Sequence, residues 1–560
     1  MAIATEYKPV VRSKKGPFWG AALVGTHSVI IGWDVKKKDL PKQLMGFAVR
    51  RTDFDPETGE ALRLDWLNGQ KRFKESGGDS GDDIRSDQAP FQRFRWSDYT
   101  VTADRSYRYD VFPMIGKPGS LDRGDALTFD LRPSEPVAEG VGVYANRGVT
   151  AAMAYLKRFK NKHPAEVGDG RAFRWLERGM RRSLFKFIEA ACAGEHLHVC
   201  IYEFFDEEIA HALKGAKKRG VKVGIVYHAK PKDKATKENE HVIAHVKIKD
   251  IATPRTNTGN ISHNKFVVHL DKNQRPKRLW TASANFSTNA FYFQTNIALT
   301  FDKPELAACY ENYFQILKNN PMRGRKKKDH VFAQDDVEIL NRQTNAKPPS
   351  PASKILFSPV RSLHVVEEAI GLIEESKSAI FFSAPFGVGK EIIEAIGGND
   401  TDIIEYGLAN STAKKKILAL NRMNTRFFTP SRMKTHMGRR RDAKAFGAHK
   451  IHAKTLVIDP WGDNPKVLIG SANFSQGSCK QNDENTLLVE GDKRFAAIIA
   501  TEFMRMYDHY KIRYWVNKLE NKDSSATIYL NNSPDWSRIY FRLTHRSRKF
   551  RDREVFAGGQ

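Results

Sequence analysis

The sequence predicts a mixed α/β protein: two α/β halves in pseudo-two-fold duplication, preceded by an N-terminal β-sandwich-like domain. Three observations carry that reading. Residues 1–145 alternate apolar and polar side chains with period two between turn clusters. Residues 150–515 instead alternate helix-like and strand-like segments, in an order that restarts at about residue 355. One short polar motif occurs once in each of those halves.

In residues 1–145 the period-two runs are Phe47-Ala48-Val49, Tyr107-Arg108-Tyr109-Asp110-Val111 and Leu127-Thr128-Phe129-Asp130-Leu131. Residues 76–87, with Gly77, Gly78, Asp79, Gly81, Asp82 and Asp83, read as an acidic loop. Short strands at regular spacing favour a sandwich, and the segment shows no chemical constellation. The first half, residues 150–320, opens on a helix over residues 173–193 and a buried strand over 197–204. A helix over 207–219 is closed by Gly220, and strands over 221–227, 266–270, 278–282 and 297–301 precede a closing helix over 304–318. Residues 321–354 form a basic, proline-rich linker, from Arg323-Gly324-Arg325-Lys326-Lys327-Lys328 to Lys347-Pro348-Pro349-Ser350-Pro351. The second half, residues 355–515, repeats the order with helices over 365–375 and 391–396 and strands over 379–382, 403–406, 455–458 and 467–469. Its closing helix covers residues 495–510, and residues 516–560 form a basic C-terminal extension.

Composition narrows the chemistry. No apolar run approaches the ~20 residues that cross a bilayer, and residues 18–24 are too short and glycine-rich for a signal-peptide core. Cys192, Cys200, Cys309 and Cys479 form no C-x-x-C pair, which excludes a zinc or thioredoxin-type reading and fits reduced thiols in a cytoplasmic protein. With 92 Lys and Arg against 65 Asp and Glu, the net charge of +27 draws in polyanions. Charge alone does not choose among nucleic acid, an anionic membrane surface and a phosphorylated substrate.

The repeated motif supplies the chemistry. The first copy is His263-Asn264-Lys265, followed by Ser283-Ala284-Asn285-Phe286-Ser287; the second is His452-Ala453-Lys454, followed by Ser471-Ala472-Asn473-Phe474-Ser475. In a strand, residues i and i+2 share a face, so each His and Lys project together. Two such halves facing each other gather histidines, lysines and asparagines into a cationic, donor-rich cluster, as a phosphate pocket requires. The chain lacks H-E-x-x-H, D-x-D and carboxylate clusters near these motifs, so no metal and no cofactor are expected. Phe386-Gly387-Val388-Gly389-Lys390 fails as a P-loop, because Ala384 stands where the first glycine belongs and Glu391 follows the lysine.

Over roughly residues 170–515 these residues resemble the phospholipase D superfamily, whose motif is H-x-K-x4-D followed by G-S-x-N. The second copy fits throughout, with Asp459 in place and Glu484 eleven residues after Asn473. The first departs: Leu270 replaces the aspartate, Ala282 the glycine, and Asn296 stands where a carboxylate is expected. The resemblance implies two phospholipase D-like halves that build one site within a monomer. It implies metal-independent phosphodiester hydrolysis through a phosphohistidine, with His263 as nucleophile and His452 as acid/base. Lys265, Lys454, Asn285 and Asn473 would hold the phosphate oxygens, with Ser283 and Ser471 as further phosphate ligands. Glu484 would sit beside His452 and raise its pKa, while Asp459, on the opposite strand face, is structural. Nucleic acid is the expected substrate, with Arg439, Arg440 and Arg441 bordering the cleft and Arg546 and Arg548 in the aromatic-interleaved tail. The alternatives are a phospholipase acting on anionic phospholipid and a non-catalytic polyanion-binding protein.

Overall fold

The computed structural model describes residues 4–77, 83–149, 152–256, 259–320, 329–386, 388–398, 402–410, 425–428, 450–520, 529–542 and 549–559. Among the described residues, alternation in the first segment produces two larger antiparallel sheets, beside the short pair Asn68–Gly69 and Ile84–Arg85. One has the order Val10–Lys15, Phe18–Val24, Val29–Val35, Arg95–Asp98. The other runs Ser120–Arg123, Ser106–Lys117, Leu44–Phe54, Ala61–Trp66, with Leu127–Leu131 also paired to Ser106–Lys117. Trp33, Phe47, Val49, Tyr109 and Phe129 fill the space between them.

The next strands leave this sandwich. Val141–Ala145 pairs antiparallel with Ile297–Phe301 and so belongs to the first α/β sheet, although its sequence position groups it with the β-domain. Among the described residues that sheet has eight strands, in the order Val137–Ala138, Val141–Ala145, Ile297–Phe301, Pro276–Ala282, Lys265–Leu270, His196–Ile201, Lys222–His228, Ala252–Arg255. The second sheet has, among the described residues, seven: Lys354–Ser358, Glu484–Glu490, Lys466–Gly470, Lys454–Ile458, Ala379–Ser383, Ile404–Leu408, Thr425–Phe428. Each half thus places its H-x-K strand centrally, antiparallel to both neighbours. Beyond it lie parallel strands, the first pair joined by a helix, Glu207–Lys218 or Lys390–Gly398.

A single apolar core joins the halves. It contains Phe266, Tyr310 and Tyr313 of the first half, Phe357 and Phe381 of the second, and Phe503 and Tyr507 of the long helix Lys493–Glu520. Tyr313 stacks on Phe357 at 4.4 Å between centroids and donates its hydroxyl to the Ser358 carbonyl at 2.5 Å.

The linker and the C-terminal extension both carry structure. The 321–354 linker contains the helix Asp329–Ala346. Asn341 donates to the Phe357 carbonyl and accepts from its N–H, both at 2.9 Å, and Asn345 does the same with Ile355 at 2.7 and 2.8 Å. Asparagines one turn apart therefore act as the missing neighbour of an edge strand. The long helix also runs past residue 515. Beyond it, the short helix Pro534–Tyr540 inserts Trp536 and Tyr540 into the sandwich core, where Trp536 Nε1 donates to the Leu44 carbonyl at 2.8 Å. In the final helix, Lys549–Phe556, Arg553 is buried against Asp34 and Arg551 pairs with Asp402 and Glu554. These guanidiniums are committed to carboxylates of the fold. Among the described residues, no helix is long and apolar enough to cross a membrane.

Candidate active site

Both histidines sit two residues before their lysines, at the mouths of the strands Lys265–Leu270 and Lys454–Ile458, and each is anchored by the opposite half. The His263 N–H donates to the Asp483 carbonyl at 2.9 Å, and the His452 N–H to the Thr295 carbonyl at 3.0 Å. Beside the first contact, Arg255 grips Asp483 with two hydrogen bonds of 2.6 and 3.0 Å, both side chains almost wholly buried. Pairing across the pseudo-two-fold axis thus sets the separation of the two rings.

The side-chain partners cross over as well. His263 Nδ1 lies 2.8 Å from Glu484 Oε2, whereas His452 Nδ1 lies 2.8 Å from the Ser283 carbonyl and 2.9 Å from Asn296 Oδ1. Glu484 therefore serves His263, not His452 as its place in the sequence suggests, because the strand Glu484–Glu490 carries it to the far side of the axis. Each Nδ1 donates to an acceptor, which leaves Nε2 as the atom with a free lone pair. The serines support these partners: Ser471 Oγ donates to Glu484 Oε2 at 2.7 Å, and Ser283 Oγ to Asn296 Oδ1 at 2.8 Å. With their hydroxyl protons so engaged, Ser283 and Ser471 stand behind the histidines rather than as the phosphate ligands expected.

Lys265 and Lys454 are 0% and 1% exposed, and each ammonium donates to the carbonyl of its own histidine. Each also lies over an aromatic face, Lys265 5.3 Å from the Tyr202 ring and Lys454 5.2 Å from the Phe386 ring. The same rings meet His263 and His452 edge-on. Among the described residues, the buried Oδ1 atoms of Asn285 and Asn473 have no hydrogen-bond partner. Asn285 Nδ2 donates at 2.6 Å to Glu203, a carboxylate that no motif announces.

The electrostatics are those of positive groups crowded together and buried. Burial, reinforced by Lys265 and Lys454, holds His263 well below the ordinary imidazole range, and the same causes act on His452. Burial lowers Lys265 to about 7 and, with Lys265 beside it, holds Lys454 well below its usual range. Glu484 is raised by burial to about 7. A bound phosphate opposes the shifts of the four cationic groups by restoring a counter-charge.

The scaffold accounts for the aspartate missing from the first copy. Asp459 accepts the N–H groups of Lys377, Ser378 and Ala379 at 2.7–2.9 Å, clamping the turn before the strand Ala379–Ser383 and facing away from the pocket. In the first half Glu195 holds the equivalent turn, accepting the Cys192 N–H at 2.9 Å and meeting His269 Nε2 at 2.9 Å. The carboxylate has moved to the neighbouring strand, so Leu270 leaves no gap. Arg439, Arg440, Arg441, Arg546 and Arg548 lie outside the described residues. Among the described residues, no group of three or more His, Cys, Asp or Glu is placed to hold a metal ion.

Comparison with known proteins matches the repeat. The family described as cardiolipin synthase, PLD-like domain, matches residues 184–318 and 371–507, once in each half. No curated protein matches. Among solved structures, the chain is similar to phosphatidylserine synthase of Haemophilus influenzae Rd KW20, at 12% identity over 62% of this chain and 91% of that one, TM-score 0.43. It is similar to the phospholipase D family member Nuc of Salmonella typhimurium, at 26% identity over 26% and 91%, TM-score 0.22. Yeast tyrosyl-DNA phosphodiesterase is similar at 13% identity over 54% and 85%, TM-score 0.29. With the family matched in both halves and an H-x-K and S-x-N set in each, the chain belongs to the phospholipase D superfamily.

Proposed function

We propose that this superfamily phosphodiesterase hydrolyses nucleic acid without a metal, through a phosphohistidine on His263. The unequal partners of the two histidines carry the reading. When His263 Nε2 attacks phosphorus, positive charge develops on its ring, and Glu484 at 2.8 Å neutralises it. His452 has the opposite task, giving its proton to the leaving oxygen and then taking one from water. A neutral amide and a carbonyl hold its ring without trapping the imidazolium. Lys265, Lys454, Asn285 and Asn473 hold the equatorial oxygens. The bond from phosphorus to the leaving oxygen breaks as the bond to Nε2 forms, and water reverses the exchange at phosphorus in the second step.

Net charge of +27 supports a polyanionic substrate, and Phe386, 43% exposed beside His452, offers a face on which a base can stack. Phospholipid is the second reading, favoured by the matched family's description as cardiolipin synthase. The test offers labelled DNA, RNA and phosphatidylcholine vesicles in parallel, with and without EDTA. Nucleic-acid turnover should persist in chelator; loss restored by Mg²⁺ would overturn the covalent mechanism, and turnover of lipid alone would move the substrate. In His452→Ala, a nitrophenyl diester should trap phosphoenzyme, with acid-labile label on His263. Label on His452 would reverse the two roles.

A further inference from the structure

Glu203 is a carboxylate at the pocket that neither histidine uses. It follows the strand His196–Ile201, where its carbonyl accepts the Phe286 N–H at 2.9 Å, so the S-A-N-F-S segment fixes its backbone. Its Oε2 accepts the 2.6 Å hydrogen bond from Asn285, while Oε1 has no donor among the described residues. The side chain is half-buried, and its charge is felt by both Lys265 and Lys454, so it borders the place where the phosphate must lie. A negative group there repels a phosphodiester. Orienting Asn285 needs only an acceptor, which a glutamine supplies without repulsion. The carboxylate becomes favourable when the substrate returns a hydrogen-bond donor to Oε1.

We propose that Glu203 accepts a hydrogen bond from a hydroxyl on the alcohol esterified to the scissile phosphate, and thereby selects a ribose 2′-hydroxyl: RNA over DNA. The inference rests on the nucleic-acid reading above. A hydroxyl one carbon away from the ester carbon reaches a group beside the phosphate, and it is the feature that separates the two polymers. Glu203 would then set specificity, and the histidine chemistry proceeds without it.

The experiment compares kcat/KM for a ribo-oligonucleotide, the deoxyribo-oligonucleotide of the same sequence and bis(4-nitrophenyl) phosphate, in wild type, Glu203→Gln and Glu203→Ala. His263→Ala serves as the control against contaminating ribonuclease. Wild type should favour the ribo substrate at least tenfold, as a charge-assisted hydrogen bond allows. Glu203→Gln should shrink that preference at least fivefold and raise turnover of the nitrophenyl diester, from which it lifts a repulsion. Equal use of both oligonucleotides by wild type, or an unchanged ratio in both variants, would overturn the proposal. The latter pattern, with Glu203→Ala lowering both substrates alike, would assign Glu203 only to positioning Asn285. Turnover of the nitrophenyl diester but of neither oligonucleotide would remove the nucleic-acid reading and this inference together.

Discussion

Replacing Lys265 with methionine should stabilise the protein while abolishing turnover. The ammonium is 0% exposed, and burial lowers it to about 7, with Glu484 and Glu203 acting against the shift. The gap between about 7 and the ordinary 10.5 is worth about 5 kcal/mol, which bounds the cost of keeping this buried lysine charged. Methionine fills a similar volume without the charge, but leaves Glu484 and Glu203 with one counter-ion fewer, so a net gain of about 1–3 kcal/mol is expected. The folded pKa lies below the unfolded one. Between pH 7 and 10.5 the unfolded chain therefore holds the extra proton, and wild-type stability rises with pH across that window. The variant lacks this rise, so its advantage should be largest at pH 6.5 and smaller at pH 9. Guanidinium unfolding of both proteins at the two pH values measures this, beside an assay of turnover. Equal stability at pH 6.5, or a difference that does not change with pH, would refute the argument.

Two further outcomes follow from the geometry. Glu484→Gln keeps an acceptor beside His263 but removes its charge, about 2 kcal/mol of a charge-assisted hydrogen bond, so phosphoenzyme formation should slow about 30-fold in single-turnover quench experiments; an unchanged rate would separate Glu484 from the attack. Truncation after residue 533 removes Trp536, Tyr540 and Phe556 from apolar cores, and should cost the sandwich several kcal/mol and speed its proteolysis; a truncated protein as resistant as wild type would show the extension to be dispensable.

The two halves and their H-x-K strands were legible because strand parity and a repeated spacing are local signals. The pairing of Glu484 was not. Its distance along the chain from Asn473 says which strand carries it, but the cross-axis register that brings it to His263 depends on contacts such as Arg255–Asp483, 228 residues apart in sequence. Glu203 belongs to no motif and is marked only by the position of Asn285. The linker helix Asp329–Ala346 hides behind its basic and proline-rich flanks, and the task of its Asn341 and Asn345 depends on the edge of Lys354–Ser358 beside them. The tail misled for a related reason: charge dominates its composition, while Trp536, Tyr540 and Arg553 decide where it goes.

The crossed support of the histidines has a consequence for the covalent joining of the halves. A homodimer of the second half alone would set a glutamate beside both histidines, and one of the first half alone would set an asparagine beside both. Under the proposed mechanism, either assembly obliges identical rings to perform opposite acts, one receiving a phosphoryl group and the other surrendering a proton. Fusion into one chain lifts that obligation, since a mutation in one copy alters only one side of the axis. Asn296 beside one histidine and Glu484 beside the other are then the difference that, under the proposed roles, turns twin sites into an ordered pair.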